Sequence, residues 1–226
     1  GRTRSGHRRA MAELFQPFSA VAAKNQYAQF PQEHGIEFLS TPSRENYEYA
    51  DPYLKWFIAQ DAVNQGAAVI LVSSSKADEL GVPESERVYL HGGGDAGDEL
   101  ISVRPVLERS WAMDTAIGRA LAQAGKTQGD IAHLDLYSCF PSAVFSGAAA
   151  LGLDWKTDKR PLTLTGGLPF FGGPGNNYSL HGIAEMVDAL RRNRGDFGLV
   201  LANGGWMTKE SAGVYSNTCL LYTSPS

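Results

Sequence analysis

Only two cysteines, Cys139 and Cys219, occur in 226 residues, too few for a disulfide framework, and no Cys/His cluster has the spacing of a zinc site. Their scarcity fits a reducing, cytoplasmic setting, and no metal ligand set is expected. No run approaches the roughly 20 uninterrupted apolar residues of a membrane-spanning helix, so no membrane partner is expected. Charge of one sign is also lacking. With 20 Lys+Arg against 24 Asp+Glu, the net charge is −4, and a mildly acidic chain has no global attraction for nucleic acid. No Gly-Lys-Ser/Thr follows the main glycine cluster, which removes a Walker A phosphate loop there. What remains is an ordinary globular composition, 43% hydrophobic and 19% charged. That is enough for one domain or for half of a larger one.

The two ends stand apart from the rest. Gly1 is followed by Arg2, Arg4, His7, Arg8 and Arg9, a basic block without the apolar core of a signal peptide; it reads as a cut into a longer chain. Residues 217–226 (NTCLLYTSPS) abandon the preceding pattern and read as translated adapter sequence, which sets Cys219 aside.

Between the ends, strand-like and helix-like periods alternate. A helix is expected over residues 11–29, then a Pro- and Gly-bearing crossing over 30–53. Residues 67–72 (AAVILV) form an apolar, β-branched run too short for a typical helix, hence a strand buried on both faces. A short helix over 76–80 stops at Gly81 and Pro83. A strand over 87–91 ends in Gly92, Gly93 and Gly94. Ser110 reads as the N-cap of a helix over 110–124 that Gly125 stops. Further strands are expected at 131–136 and 197–202, the latter paired with 212–215, and helices at 141–151 and 176–192. Strands separated by such helices predict an α/β fold, helices layered on a central mixed sheet, with ligands in the loops beyond the strand ends.

Two glycine clusters lie at those places. Gly166 to Gly175 leads directly into a helix, where close backbone approach and unpaired N–H groups favour an anion or a developing oxyanion. Asn203-Gly204-Gly205-Trp206 follows the last buried strand. On glycine content alone, each reads equally as a structural turn or a binding loop.

With two other segments, these loops resemble one family, the thiolases. The likeness covers residues 46–216. Residues 53–83 (YLKWFIAQDAVNQGAAVILVSSSKADELGVP) resemble the family's D-x-x-x-x-A-A-A-V strand and K-A-x-x-L-G turn. Asp135-Leu136-Tyr137-Ser138-Cys139-Phe140 sits at the Asn-Glu-Ala-Phe position, and Cys139-Phe140 agrees with the His-Asp-Cys-Phe of the sterol-carrier-protein branch. Gly166-Gly167-Leu168 matches the approach to the Gly-His-Pro motif, and 199–205 the strand carrying Cys-x-Gly. The resemblance implies a thiolase-like layered α-β-α fold with a central mixed sheet, incomplete here. Residues 1–53 would be the end of the N-terminal half, 54–216 the C-terminal domain, and 217–226 a non-native tail. As a fragment, residues 1–216 are expected to be unstable or aggregating.

The departures fall on the chemistry. The family's His aligns with Gly173, its Cys with Ala202, its Asn with Tyr137, and its nucleophilic Cys belongs to the half not present. Claisen chemistry needs a thiolate, an acid/base and oxyanion donors. Tyr137, Ser138 and Cys139, at a strand end before a helix, are candidate catalytic residues; a thiol there can have a lowered pKa, or Cys139 is a small buried hydrophobe. His181, with Glu185 one turn on, is a displaced acid/base or a helix-surface histidine. Gly172, Gly173, Asn176, Asn177, Asn203 and Gly204 are candidate substrate-binding residues, the asparagines alternatively being turn residues. His91 faces the same pocket or a surface loop, and His34 and His133 have no chemical company. By resemblance, the expected activity is that of an acyl-CoA acyltransferase of acetyl-CoA acetyltransferase type in lipid or steroid side-chain metabolism. CoA or acyl-CoA is the substrate, no cofactor is covalently bound, and the full-length protein is a homodimer. The alternative is a non-catalytic acyl-CoA-binding, lipid-transfer or scaffold protein docking a small partner protein. A nucleotide-binding module rests on glycine loops alone.

Overall fold

A computed structural model describes residues 3–220. Helix α1 (Arg4–Ala22) begins where the Thr3 hydroxyl accepts a hydrogen bond from the Gly6 N–H at 3.1 Å, an N-cap. Met11, Leu14, Phe15, Phe18 and Ala22 share one face at helical spacing and are buried. The helix therefore starts earlier and ends earlier than the expected 11–29. After it come α2 (Ile36–Ser40) and a small hairpin of β1 (Glu48–Ala50) and β2 (Tyr53–Leu54). Helix α3 (Ser74–Glu79) is capped by Ser73.

Residues 67–72, expected as a buried strand, form none. Ile70 is 91% and Leu71 90% exposed. A strand exists only against a neighbour, and among the described residues none runs beside this segment.

Strand β3 (Tyr89–Gly97) continues through Gly92, Gly93 and Gly94, where the sequence reading ended it. Packing explains the glycines better than a turn does. Helix α4 (Trp111–Ala124) lies directly on β3: a Cβ at Gly94 would collide with the Ala116 carbonyl oxygen and come within 2.9 Å of Arg119 Cβ, and one at Gly92 would collide with the Ala120 carbonyl. The caps of α4 are those expected, with Ser110 Oγ accepting from Met113 N at 3.2 Å and Gly125 left-handed at φ 62°. Then follow β4 (Ile131–Asp135), α5 (Pro141–Ala150), α6 (Tyr178–Arg192), β5 (Phe197–Gly204) and β6 (Lys209–Ser216).

The sheet order is β3-β6-β5-β4, with β4 and β5 parallel and the other pairs antiparallel. Leu199, Leu201, Ala212 and Val214 pack on one face with Met113 and Ile117 of α4, while Val200 packs on the other with Met186 and Leu190 of α6. The result is the expected α-β-α layering around a mixed sheet. Both β4 and β5 run toward one edge, where the candidate residues collect. At the far end Asn217 is buried, its amide donating to the Leu190 carbonyl at 3.0 Å and accepting from Gly195 N at 2.9 Å; residues 221–226 of the expected tail lie outside the described residues.

Candidate functional site

The site is built on the end of β4. Asp135 is fully buried, and one of its oxygens, Oδ2, accepts from the Leu164 and Thr165 amides at 2.8 and 3.1 Å and from the Thr163 and Thr165 hydroxyls at 3.1 and 3.2 Å. The Tyr178 hydroxyl lies 2.7 Å from Thr165 Oγ1 and donates to Asp135 Oδ1 at 3.4 Å. Burial raises the Asp135 carboxyl against these donors. This network fixes the entry to the glycine loop, whose Gly166 and Gly167 sit at φ 107° and 81°. A side chain at Gly167 would meet Phe18 Cδ1 at 2.6 Å and Ser138 Oγ at 2.8 Å, so glycine is required by both conformation and space.

Ser138 belongs to this scaffold. It is fully buried, and its hydroxyl accepts from Leu168 N at 3.1 Å. Asn177 is likewise committed, its side chain accepting from Ala67 N at 2.7 Å and donating to Ala67 O at 3.1 Å. Gly173 donates its N–H to Gln60 O at 2.8 Å, and a Cβ there would lie 3.2 Å from Ala59 Cβ. The segment at residues 59–60 thus occupies the space a larger residue at 173 would need. At Gly172, φ is 124° and Gln65 fills the corresponding space.

Tyr137, Asn176, Asn203 and Gly204 do come together, around a cavity of about 700 Å³ whose wall includes Glu210 and whose rim carries the exposed Arg119 and Lys209. Tyr137 packs edge-on to Tyr178 at 5.4 Å, and burial raises its phenol. Beside this cavity, Asn203 Nδ2 donates to Cys139 Sγ at 3.7 Å. Of the two readings of the cysteine before α5, a thiol of lowered pKa or a small buried hydrophobe, burial favours the second: it pushes the thiol up from 9.0 to about 11, overriding the amides of Phe140 and Cys139 and the Asn203 side chain. Cys139 is therefore a neutral thiol at pH 8. Iodoacetamide at that pH should modify it about a hundredfold more slowly than an ordinary thiol, after the exposed Cys219; peptide mass spectrometry over time checks this, and equal rates would contradict it.

His181 is not brought to Cys139's cluster. It is 8% exposed, packs edge-on to Phe171 at 5.2 Å, and lines a separate recess of about 470 Å³ with Tyr27, Gln65 and Glu185. Burial lowers its pKa, and Nε2 has no partner among the described residues. Glu185 bonds Asn25 at 2.9 Å. His91 is tied by Nε2 to the Thr218 carbonyl at 2.8 Å and packs on Phe197. His133, read as isolated, pairs with Asp196 at 2.9 Å, and His34 is stacked on Phe38 at 4.6 Å.

Sequence reasoning passed over Glu210. It is 3% exposed, and neither of its carboxyl oxygens has a hydrogen-bond partner among the described residues. The signal was present: in β6, Glu210 shares the inward phase with Ala212 and Val214 while Lys209 and Ser211 point outward. A carboxylate on the apolar phase of a strand is the exception worth noticing.

No family model matches the chain. Over 97% of its length it superposes on a monomeric SCP2-thiolase-like protein type 1 from Mycobacterium smegmatis with a TM-score of 0.93 and 48% identity, covering 48% of that protein. Over this length the chain resembles proteins of the thiolase family. An acetyl-CoA acetyltransferase of Yarrowia lipolytica is 28% identical over 145 residues, which are 63% of this chain and 33% of the relative. A 3-ketoacyl-CoA thiolase of Escherichia coli is 28% identical over 151 residues, 60% of this chain and 33% of the relative. Human mitochondrial 3-ketoacyl-CoA thiolase, at 17% identity and a TM-score of 0.66, shows the thiolase fold alone. The chain spans about a third of its curated relatives and about half of these two structures. Within the thiolase fold, Gly173 and Ala202 stand where the family resemblance expects His and Cys, and no described side chain takes their place beside Cys139 as an activated nucleophile.

Proposed function

We propose that the protein is a thiolase-like acyl-CoA acyltransferase of lipid or steroid side-chain metabolism, and that these residues supply the acyl-thioester cradle while the nucleophile comes from elsewhere in the complete protein. The observation carrying this reading is the cavity of about 700 Å³, with Arg119 and Lys209 at its rim and Asn203 and Glu210 in its wall beside Cys139. Cations at the rim suit the phosphates of CoA, and a wall with polar side chains suits the thioester. No helix among the described residues is long and apolar enough to cross a membrane. A cytoplasmic setting stays part of the proposal.

A second reading has its own support. The raised thiol of Cys139, the separate recess of His181 and the Gly173 and Ala202 departures favour an acyl-CoA-binding, lipid-transfer or scaffold protein without turnover, docking a small partner protein. Thiolytic cleavage of a 3-ketoacyl-CoA by the longest natural chain carrying this sequence separates the two. Turnover supports the acyltransferase; CoA binding without turnover, unchanged by an added partner, supports the second. The homodimer expected by resemblance is tested by sedimentation of the same chain, the Mycobacterium smegmatis relative being described as monomeric.

A further inference from the structure

We propose that Glu210 is a hydrogen-bond donor to the carbonyl oxygen of a bound acyl thioester, across the strand pair from Asn203, whose amide meets Cys139. The inference rests on the acyl-CoA reading above and adds a residue to it.

Geometry carries the assignment. Asn203 and Glu210 are direct cross-strand partners in the β5-β6 ladder, and Asn203 is the residue that holds Cys139. Three buried atoms gather there without a partner among the described residues: Glu210 Oε1, Glu210 Oε2 and Asn203 Oδ1. Buried polar groups are nearly always satisfied, and exceptions call for an explanation, a catalytic or binding role among them. Glu210 also belongs to the wall of the cavity.

The charged and titratable groups bearing on Glu210 are Arg104, Asp98 and Cys139. Arg104 does not neutralise it. Its Nη2 donates to the carbonyls of Glu99, Trp206 and Met207 at 3.0–3.2 Å, its Nε lies 3.6 Å from Asp98 Oδ2, and among the described residues no ion pair joins it to Glu210. A carbonyl or enolate oxygen at this point needs a donor, which a protonated carboxyl is. Burial, with Asp98 adding to it and Arg104 opposing it, pushes Glu210 from 4.5 up to about 8, so the proton is present at neutral pH.

Acetyl-CoA has the carbonyl and free CoA does not, so the pair of ligands isolates the contact. Both are titrated by calorimetry into wild type, Glu210→Leu and Glu210→Gln of the longest natural chain, each variant first matched to wild type by thermal melt. At pH 7, Glu210→Leu should weaken acetyl-CoA about tenfold and leave CoA unchanged, while Glu210→Gln, which keeps a donor, holds both. Raising the pH from 7 to 9 should weaken acetyl-CoA for wild type and not for Glu210→Gln; this arm decides the matter where the leucine variant does not fold. Wild-type binding of both ligands with no effect of either variant or of pH overturns the Glu210 assignment alone. Failure of wild type to bind either ligand overturns the acyl-CoA reading and the assignment with it.

Discussion

Gly94→Val is expected to abolish the folded state, with a loss on the order of 4 kcal/mol or more. The added Cβ would be driven into the carbonyl oxygen of Ala116 and to 2.9 Å from Arg119 Cβ. Neither is the far end of a flexible chain, so relief requires lifting α4 off β3 and opening the core around Met113, Ala116 and Ala120. Gly93, one residue away, faces the opposite side of the strand and would meet nothing within 4 Å. Gly93→Ala is the matched control and should shift stability by about 1 kcal/mol or less. Urea denaturation followed by circular dichroism distinguishes the two. Equal midpoints for both variants would mean that α4 does not rest on the glycine backbone of β3.

The second large effect is a pH dependence of stability owed to Glu210. Its folded pKa is raised, from 4.5 to about 8, the reverse of the usual carboxylate. Between those values the native state keeps a proton that the unfolded chain releases, so the unfolded state binds fewer protons and stability falls as pH rises. The fall begins near the unfolded value and levels off above the folded one. Glu210→Gln has no such titration. Relative to wild type, its stability should therefore improve by about 3 kcal/mol between pH 5 and pH 8. Denaturant midpoints at those two pH values measure the difference, and parallel curves for the two proteins would contradict a buried neutral Glu210.

Much of the architecture was legible because local and tertiary preferences agreed. Ser110 and Gly125 capped α4 as their chemistry dictates, and the 197–202 and 212–215 runs paired as read, extending to Gly204 and Lys209. Two segments were misread for one reason, that a strand is defined by its neighbours. The 67–72 run has the composition of a central strand and no strand beside it among the described residues, while the glycines at 92–94 look like a stop and are instead the flat surface on which α4 sits. The site divided in a similar way. Strand ends and glycine clusters marked loops in the sequence, and of the candidates named there Tyr137, Asn176, Asn203 and Gly204 line one cavity. The sequence could not separate Ser138 and Asn177, which hold backbone amides, from residues free to meet a ligand. His181 looked near in the chain order, but one turn of α6 and the ring of Phe171 turn it toward another recess. Asp135 escaped because burial, which gives its carboxyl its character, is a property of the assembled fold; Glu210 escaped because the strand read at 212–215 begins at Lys209, so its inward phase went unused.

On the proposed function, these residues form an acyl-CoA cradle without an activated thiol of their own. Calorimetric titration of acetyl-CoA into the longest natural chain carrying this sequence, as wild type and as Cys139→Ser, tests it most directly. Saturable binding of one acetyl-CoA per chain, changed less than about threefold by the serine substitution, is the predicted result. Absence of binding to the wild type, or its loss in Cys139→Ser together with rapid alkylation of Cys139 at pH 8, would contradict the account.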